Sequence, residues 1–76
     1  MVHVVIYTRE RCGLCDEAIR LVRRWGLEPQ LRDIDGDEQL RAQFDTCVPV
    51  VEVDGKIRFR GRVNEVLLRR LFDATR

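Results

Sequence analysis

Apolar residues follow two different spacings along this chain, and the changes between them mark out its elements. The run Val2 to Tyr7 is β-branched and aromatic with little alternation, which predicts a strand covered on both faces, as in the middle of an α/β sheet. From Leu14 onward the positions Leu14, Ala18, Leu21, Val22 and Trp25 recur at helical spacing, and Gly26 followed by Pro29 supplies the stop. An amphipathic helix of about three turns is expected there. Leu31 and Ile34 among acidic residues predict a short strand from about Gln30 to Asp33, closed by the Asp35-Gly36 turn signal. Asp37 to Phe44 reads as a short helix, with Leu40 and Phe44 on one face, Asp37 four residues before Arg41, and acidic residues in the first turn.

The clearest local signal follows. Pro49 to Val53, then Asp54-Gly55, then Lys56 to Arg60 predict two strands joined by a two-residue hairpin turn, with Ile57 and Phe59 sharing a face. After Gly61, the positions Val63, Val66, Leu67, Leu68, Leu71 and Phe72 predict a closing helix whose apolar stripe covers the hairpin. The order strand, helix, strand, helix, strand, strand, helix requires a parallel, right-handed first βαβ unit and an antiparallel last pair. The expected fold is therefore α/β, a four-stranded mixed sheet with helices on both faces. No repeat, linker or low-complexity segment interrupts it.

Seventy-six residues make a single domain spanning 1–76, since a chain of this length buries only about 60% of the surface its unfolded form exposes. A two-domain enzyme with a large closed cleft is excluded. At 45% hydrophobic and 36% charged, the chain has enough apolar material for one core and too much for disorder. Fourteen basic residues oppose 13 acidic ones, so no summed field draws it to nucleic acid or an anionic membrane, and neither is an expected partner. The basic residues are arginine except for Lys56, a bias toward fork-shaped donors that suits surface ion pairs with carboxylates. No apolar run approaches the ~20 residues of a membrane helix. The start, Met1-Val2-His3-Val4, has no secretory pattern, so a cytoplasmic location is expected.

Three cysteines change the picture. Cys12 and Cys15 lie too close together for a useful structural staple, because closing so short a loop removes little entropy from the unfolded chain. Their placement, directly after a strand and at the start of a helix, favours reactivity. The unpaired N–H groups and positive dipole end of a helix N-terminus favour a thiolate, which makes Cys12 the expected nucleophile. One helical turn on, Cys15 lies within reach of a mixed disulfide on Cys12 and is the expected resolving thiol. Arg9 and Arg11 support the thiolate; Asp16 and Glu17 oppose it. Two other readings of the pair stand beside this one. It is either incidental buried thiol, or part of a Cys₃His zinc set with Cys47 and His3, although Cys47 has no close-spaced partner and His3 lies at the far end of the first strand from Cys12.

Ile6-Tyr7-Thr8-Arg9, Cys12-Gly13-Leu14-Cys15, Val48-Pro49-Val50-Val51 and the Asp54-Gly55 hairpin together resemble the glutaredoxins, and more narrowly their small glutaredoxin-like relatives with a CxLC motif. The resemblance spans nearly the whole chain. It implies a thioredoxin-like fold, thiol–disulfide exchange, and a redox-active Cys12–Cys15 disulfide. It implies that Pro49 is a cis-proline facing the CxxC, leaving the Val48 backbone free to pair with a substrate peptide. Arg9 matches the basic residue that contacts a glutathione carboxylate, and Gly61 and Asn64 lie where the other end of glutathione is held. There the pattern departs from the family, with Gly61-Arg62 for the usual Gly-Gly pair and Asn64-Glu65 where aspartates often follow. The Gly13-Leu14 spacer also differs from the family's Pro-Tyr and leaves reductant and oxidant roles both open.

The expected function is a thiol–disulfide oxidoreductase acting on protein or glutathione disulfides, reduced by glutathione or another thiol, monomeric and without a metal. Two alternatives from other classes are a metal- or iron–sulfur-binding module on the same fold and an adaptor with vestigial thiols. Cys47, two residues before Pro49 and where glutaredoxins often carry threonine, reads as a third redox thiol, a metal or cluster ligand, or a small apolar filler. Trp25 is expected in the core. Tyr7, at the end of the first strand, either packs or lines the site.

Overall fold

The runs richest in consecutive β-branched residues end up side by side at the middle of a sheet. A computed structural model, which describes residues 2–45 and 47–75, contains in chain order β1 (Val4–Thr8), α1 (Gly13–Arg24), β2 (Gln30–Asp33), a 3₁₀ turn (Ile34–Gly36), α2 (Glu38–Phe44), β3 (Val50–Val53), β4 (Lys56–Arg60) and α3 (Glu65–Thr75). The sheet order is β2-β1-β3-β4, with β1 parallel to β2 and antiparallel to β3, and β3 antiparallel to β4. This is the mixed α/β sheet the pattern predicts.

Strand alternation sends the apolar side chains of β1 and β3 to opposite faces. Val4 and Ile6 pair with Val53 and Val51 on one face and join Ala18, Leu21 and Val22 of α1 and Leu68 and Phe72 of α3 in the larger core cluster. Trp25 closes that cluster edge-on to Phe72, ring centroids 5.7 Å apart. Tyr7 and Val50 share the other face, where Ile34 and Phe44 cover them. Each fully buried aliphatic or aromatic side chain in these clusters contributes about 1.5–3 kcal/mol relative to an exposed one.

The structure corrects four details of the expected pattern. β1 begins at Val4, and β3 at Val50, past Pro49. β2 spans Gln30 to Asp33, but Leu31 is exposed because β2 is an edge strand whose residues are all accessible. Ile57 and Phe59 do not share a face. A register shift between Val51 and Glu52 leaves Arg58 without its own partner, so Phe59 pairs with Val51 and packs on the core while Ile57 pairs with Glu52 and stays exposed. The closing helix starts at Glu65, and its stripe consists of Leu68, Leu71 and Phe72, with Val63 joining the core from the loop before it; Val66 and Leu67 are 58% and 50% exposed on its outer side.

Turns follow their local chemistry. Asp54 and Gly55 both have positive φ, 51° and 85°, as a two-residue hairpin of this twist needs. The tip is pinned to the start of the chain: the Asp54 N–H donates to the His3 carbonyl at 2.8 Å, and the His3 N–H donates to the Asp54 carboxylate at 2.8 Å. His3 is thereby held at the end of β1 away from Cys12.

Candidate active site

β1 ends at Thr8 and α1 begins at Gly13, so the four residues between must reverse the chain over the end of the sheet. Arg11 makes the bend with φ +56°, the left-handed region that costs an L-residue about 1–2 kcal/mol. Cys12 is extended, at φ −109° and ψ 102°, and caps α1: its Sγ accepts from the Cys15 N–H at 3.1 Å, and its carbonyl accepts from the Asp16 N–H at 3.1 Å. Cys12 and Cys15 are joined as a disulfide with Cα atoms 5.2 Å apart. Exposure separates the two sulfurs. Cys12 is half-buried, whereas Cys15 is 1% exposed beneath it. Leu14 between them is exposed.

At the same end of the sheet is the segment before β3, because Tyr7 near the end of β1 pairs with Val50 at the start of β3. The Val48–Pro49 peptide is cis, and Pro49 is fully buried. Gly61, at φ +79°, turns its N–H toward two carbonyls at once, Cys47 at 2.8 Å and Pro49 at 2.7 Å, and so latches the end of β4 to the proline segment. Val48 makes no backbone hydrogen bond among the described residues. Cys47 is a free, partly buried thiol packed with Tyr7, Leu40 and Val48 against the Ile34, Phe44 and Val50 cluster. Its N–H donates to the Phe44 carbonyl at 2.9 Å. Among the described residues, no group of three His, Cys, Asp or Glu side chains is placed to hold a metal ion.

Tyr7 packs. Its ring centroid lies 4.9 Å from that of Phe44, and its hydroxyl points back along the sheet to Glu52, 3.5 Å away. Burial first, and then the Glu52 carboxylate, push that hydroxyl above its ordinary value of 10.0.

Arg9 is already engaged within the protein. Its Nε and Nη2 donate to the Asp35 carboxylate at 3.0 and 2.9 Å, its Nη1 donates to the Asp45 carbonyl at 3.0 Å, and Nη2 also meets the Asp45 carboxylate. The hydrogen bonds Arg9 donates to Asp35 and then to Asp45 raise its guanidinium above the usual value, and Arg9 in turn holds Asp35 below the ordinary 3.8. The Arg9–Asp35 pair is therefore ionised at neutral pH and loosens only when acid titrates Asp35 below its normal range. The Arg9 charge is spent on two aspartates, so it lends less to a Cys12 thiolate than spacing alone suggests. Arg11 has no ion pair among the described residues and remains the nearer free cation in sequence.

Asn64 is also in use. Its Oδ1 accepts from the Val66 and Leu67 N–H groups at 3.0 and 3.1 Å, which makes it the N-cap of α3. Asn64→Ala should destabilise the protein by about 1 kcal/mol, read as a lower urea midpoint at unchanged slope. A neutral result would mean the cap is dispensable.

The residues that sequence reasoning missed are Asp35 and Asp45. They lie 26 and 36 positions from Arg9, and nothing in local spacing links them to it.

A family model described as "Glutaredoxin-like domain (DUF836)" matches residues 3–73. Glutaredoxin-C13 of Arabidopsis thaliana is 36% identical over 72 residues, which span 84% of this chain and 69% of that protein. The solution structure of protein Ne2328 from Nitrosomonas europaea superposes with a TM-score of 0.78 at 26% identity, covering 92% of this chain and 89% of the other. Oxidised thioredoxin from Plasmodium falciparum shares the fold at a TM-score of 0.54 and 17% identity, over 97% and 80% of the two chains. A family match over that much of the sequence, on a fold shared with thioredoxin, makes this chain a member of the glutaredoxin-like family within the thioredoxin superfamily.

Proposed function

We propose that this protein is a thiol–disulfide oxidoreductase in which Cys12 is the attacking thiol and Cys15 the resolving one. The observation that carries the reading is the unequal exposure of a disulfide at a helix N-terminus: a substrate reaches half-buried Cys12 but not Cys15, which is 1% exposed. In the reduced protein, the Cys12 thiolate attacks one sulfur of a disulfide R–S–S–R. A Cys12–S–S–R bond forms and RS⁻ leaves, taking a proton from solvent. Cys15, deprotonated in turn, attacks Cys12 Sγ, expels the second RS⁻ and closes the Cys12–Cys15 disulfide. Two electrons pass to the substrate, and two thiols of a reductant restore the protein by the reverse exchange.

Helix geometry supports the first step, because the Cys15 N–H that Cys12 Sγ meets at the head of α1, together with the helix dipole, stabilises a thiolate better than a thiol. The named glutaredoxin relative supports glutathione as the reductant. The unbonded Val48 backbone beside cis-Pro49, with Gly61 closing the far side, is the surface against which this reading lays an extended disulfide-bearing substrate. We further take the protein to act as one domain and one copy in the reducing cytoplasm.

Titration against glutathione redox buffers, with thiol trapping and mass readout on untreated and metal-stripped samples, tests the proposal. A reversible two-electron transition of Cys12 and Cys15 is expected, with a midpoint in the range of about −270 to −120 mV. No transition, or thiols protected only before metal removal, would turn the reading to a metal-binding module.

A further inference from the structure

The ion cluster beside the active-site turn has a net negative charge: two cations, Arg9 and Arg41, which also acts on Asp35, face three carboxylates, Asp35, Asp45 and Glu38, the last lining one pocket with Arg41 and Asp45. Its Arg9 stands three residues before Cys12, and it is built from three separate pieces of chain: the turn after β1, the 3₁₀ turn after β2 and α2 with the residue after it. All three nitrogens of Arg9 donate into it. A carboxylate approaching on a substrate finds no free fork on Arg9 and meets two fixed aspartates. Both aspartates are solvent-accessible, so their field reaches an incoming molecule.

We propose that Asp35 and Asp45 set substrate preference at this site: by holding Arg9 inside a net-negative cluster, they disfavour carboxylate-bearing disulfides and favour those with neutral or basic flanks. The inference rests on the oxidoreductase reading and refines it. Glutathione, which carries a carboxylate at each end, works against the cluster; a disulfide flanked by amines or neutral groups works with it. Arg11, which has no ion pair among the described residues and is next to Cys12, attracts anions equally in every variant that keeps it, so comparison among such variants isolates the cluster.

The test measures the rate at which the reduced protein is oxidised by three small disulfides of different charge: glutathione disulfide, hydroxyethyl disulfide and cystamine. Each rate is normalised to that of a free dithiol with the same reagent. In Asp35→Asn/Asp45→Asn, the ratio of the glutathione disulfide rate to the hydroxyethyl disulfide rate should rise about fivefold at low salt, and the cystamine ratio should fall. The gain should shrink as salt is raised. Arg9→Gln, which removes the guanidinium both aspartates share, should move the ratios the opposite way.

Ratios within twofold of wild type in the double variant, or equal rises with all three reagents, would overturn the inference while leaving the oxidoreductase reading intact. If the wild-type protein is oxidised by none of the three, both fall together. Should the double variant not fold, Asp45→Asn alone, which keeps the two-pronged Arg9–Asp35 pair, must still raise the glutathione ratio, and a flat result there also overturns the inference.

Discussion

Cys12→Ser protein should lose disulfide reduction by at least about a thousandfold, whereas Cys15→Ser should still attack and then stall as a stable mixed disulfide that mass spectrometry detects. The two outcomes differ because the two sulfurs differ in access and not in kind. Cys12 is the half-buried cap of α1, and Cys15 lies one turn below it with 1% of its surface exposed. Removing the outer sulfur removes the atom a substrate can reach. Removing the inner one leaves attack intact but takes away the intramolecular nucleophile whose proximity makes release fast. If Cys15→Ser abolished attack and Cys12→Ser formed the stable adduct, the roles would be reversed. If neither variant formed an adduct with any disulfide, the pair would not be a redox centre at all.

Phe44→Ala should cost about 3–5 kcal/mol, the usual loss for emptying a buried aromatic site. A domain of this length has roughly 4–11 kcal/mol in total at about 0.05–0.15 kcal/mol per residue, so the variant should be near its unfolding threshold. Phe44 is 2% exposed and fills the space between α2, the Tyr7 ring and the segment carrying Cys47 and Val48. Its carbonyl also receives the Cys47 N–H. Loss of the ring therefore loosens the support of the proline segment at the Cys12 end of the sheet, and exchange should slow even at temperatures where most molecules remain folded. Urea unfolding measures the first effect and oxidation kinetics the second. Leu67→Ala is the control: on the exposed side of α3 it should change stability by no more than about 0.5 kcal/mol. A Phe44→Ala loss no larger than that of the control would show that the smaller cluster does not hold the segment.

Much of the fold could be read from short-range pattern. The first central strand was legible as a β-branched and aromatic run, since a strand covered on both faces has no polar face to show. The hairpin was legible because only a few residue pairs accept positive φ twice in succession, and Asp54-Gly55 is one. The β4 error has an equally physical cause. Alternation counted along the strand assumes an unbroken ladder, and the shift opposite Val51 and Glu52 turns Ile57 and Phe59 to opposite faces. The α3 error arose because Val66 and Leu67 lie within an apolar run, while a helix can turn only one stripe to its sheet.

At the site, the sequence by itself determined what depends on neighbours along the chain: two cysteines one turn apart at a strand-to-helix junction, and hence which helix end would bear on which thiol. Tertiary structure alone decided how deep each sulfur lies, that Gly61 latches the proline segment, that Asn64 is occupied as a cap, and that Arg9 is held by Asp35 and Asp45. The reason is range. Dipole, spacing and turn chemistry act over a few residues, whereas a guanidinium finds its carboxylates only after β1, the 3₁₀ turn and α2 have been brought to one end of the sheet.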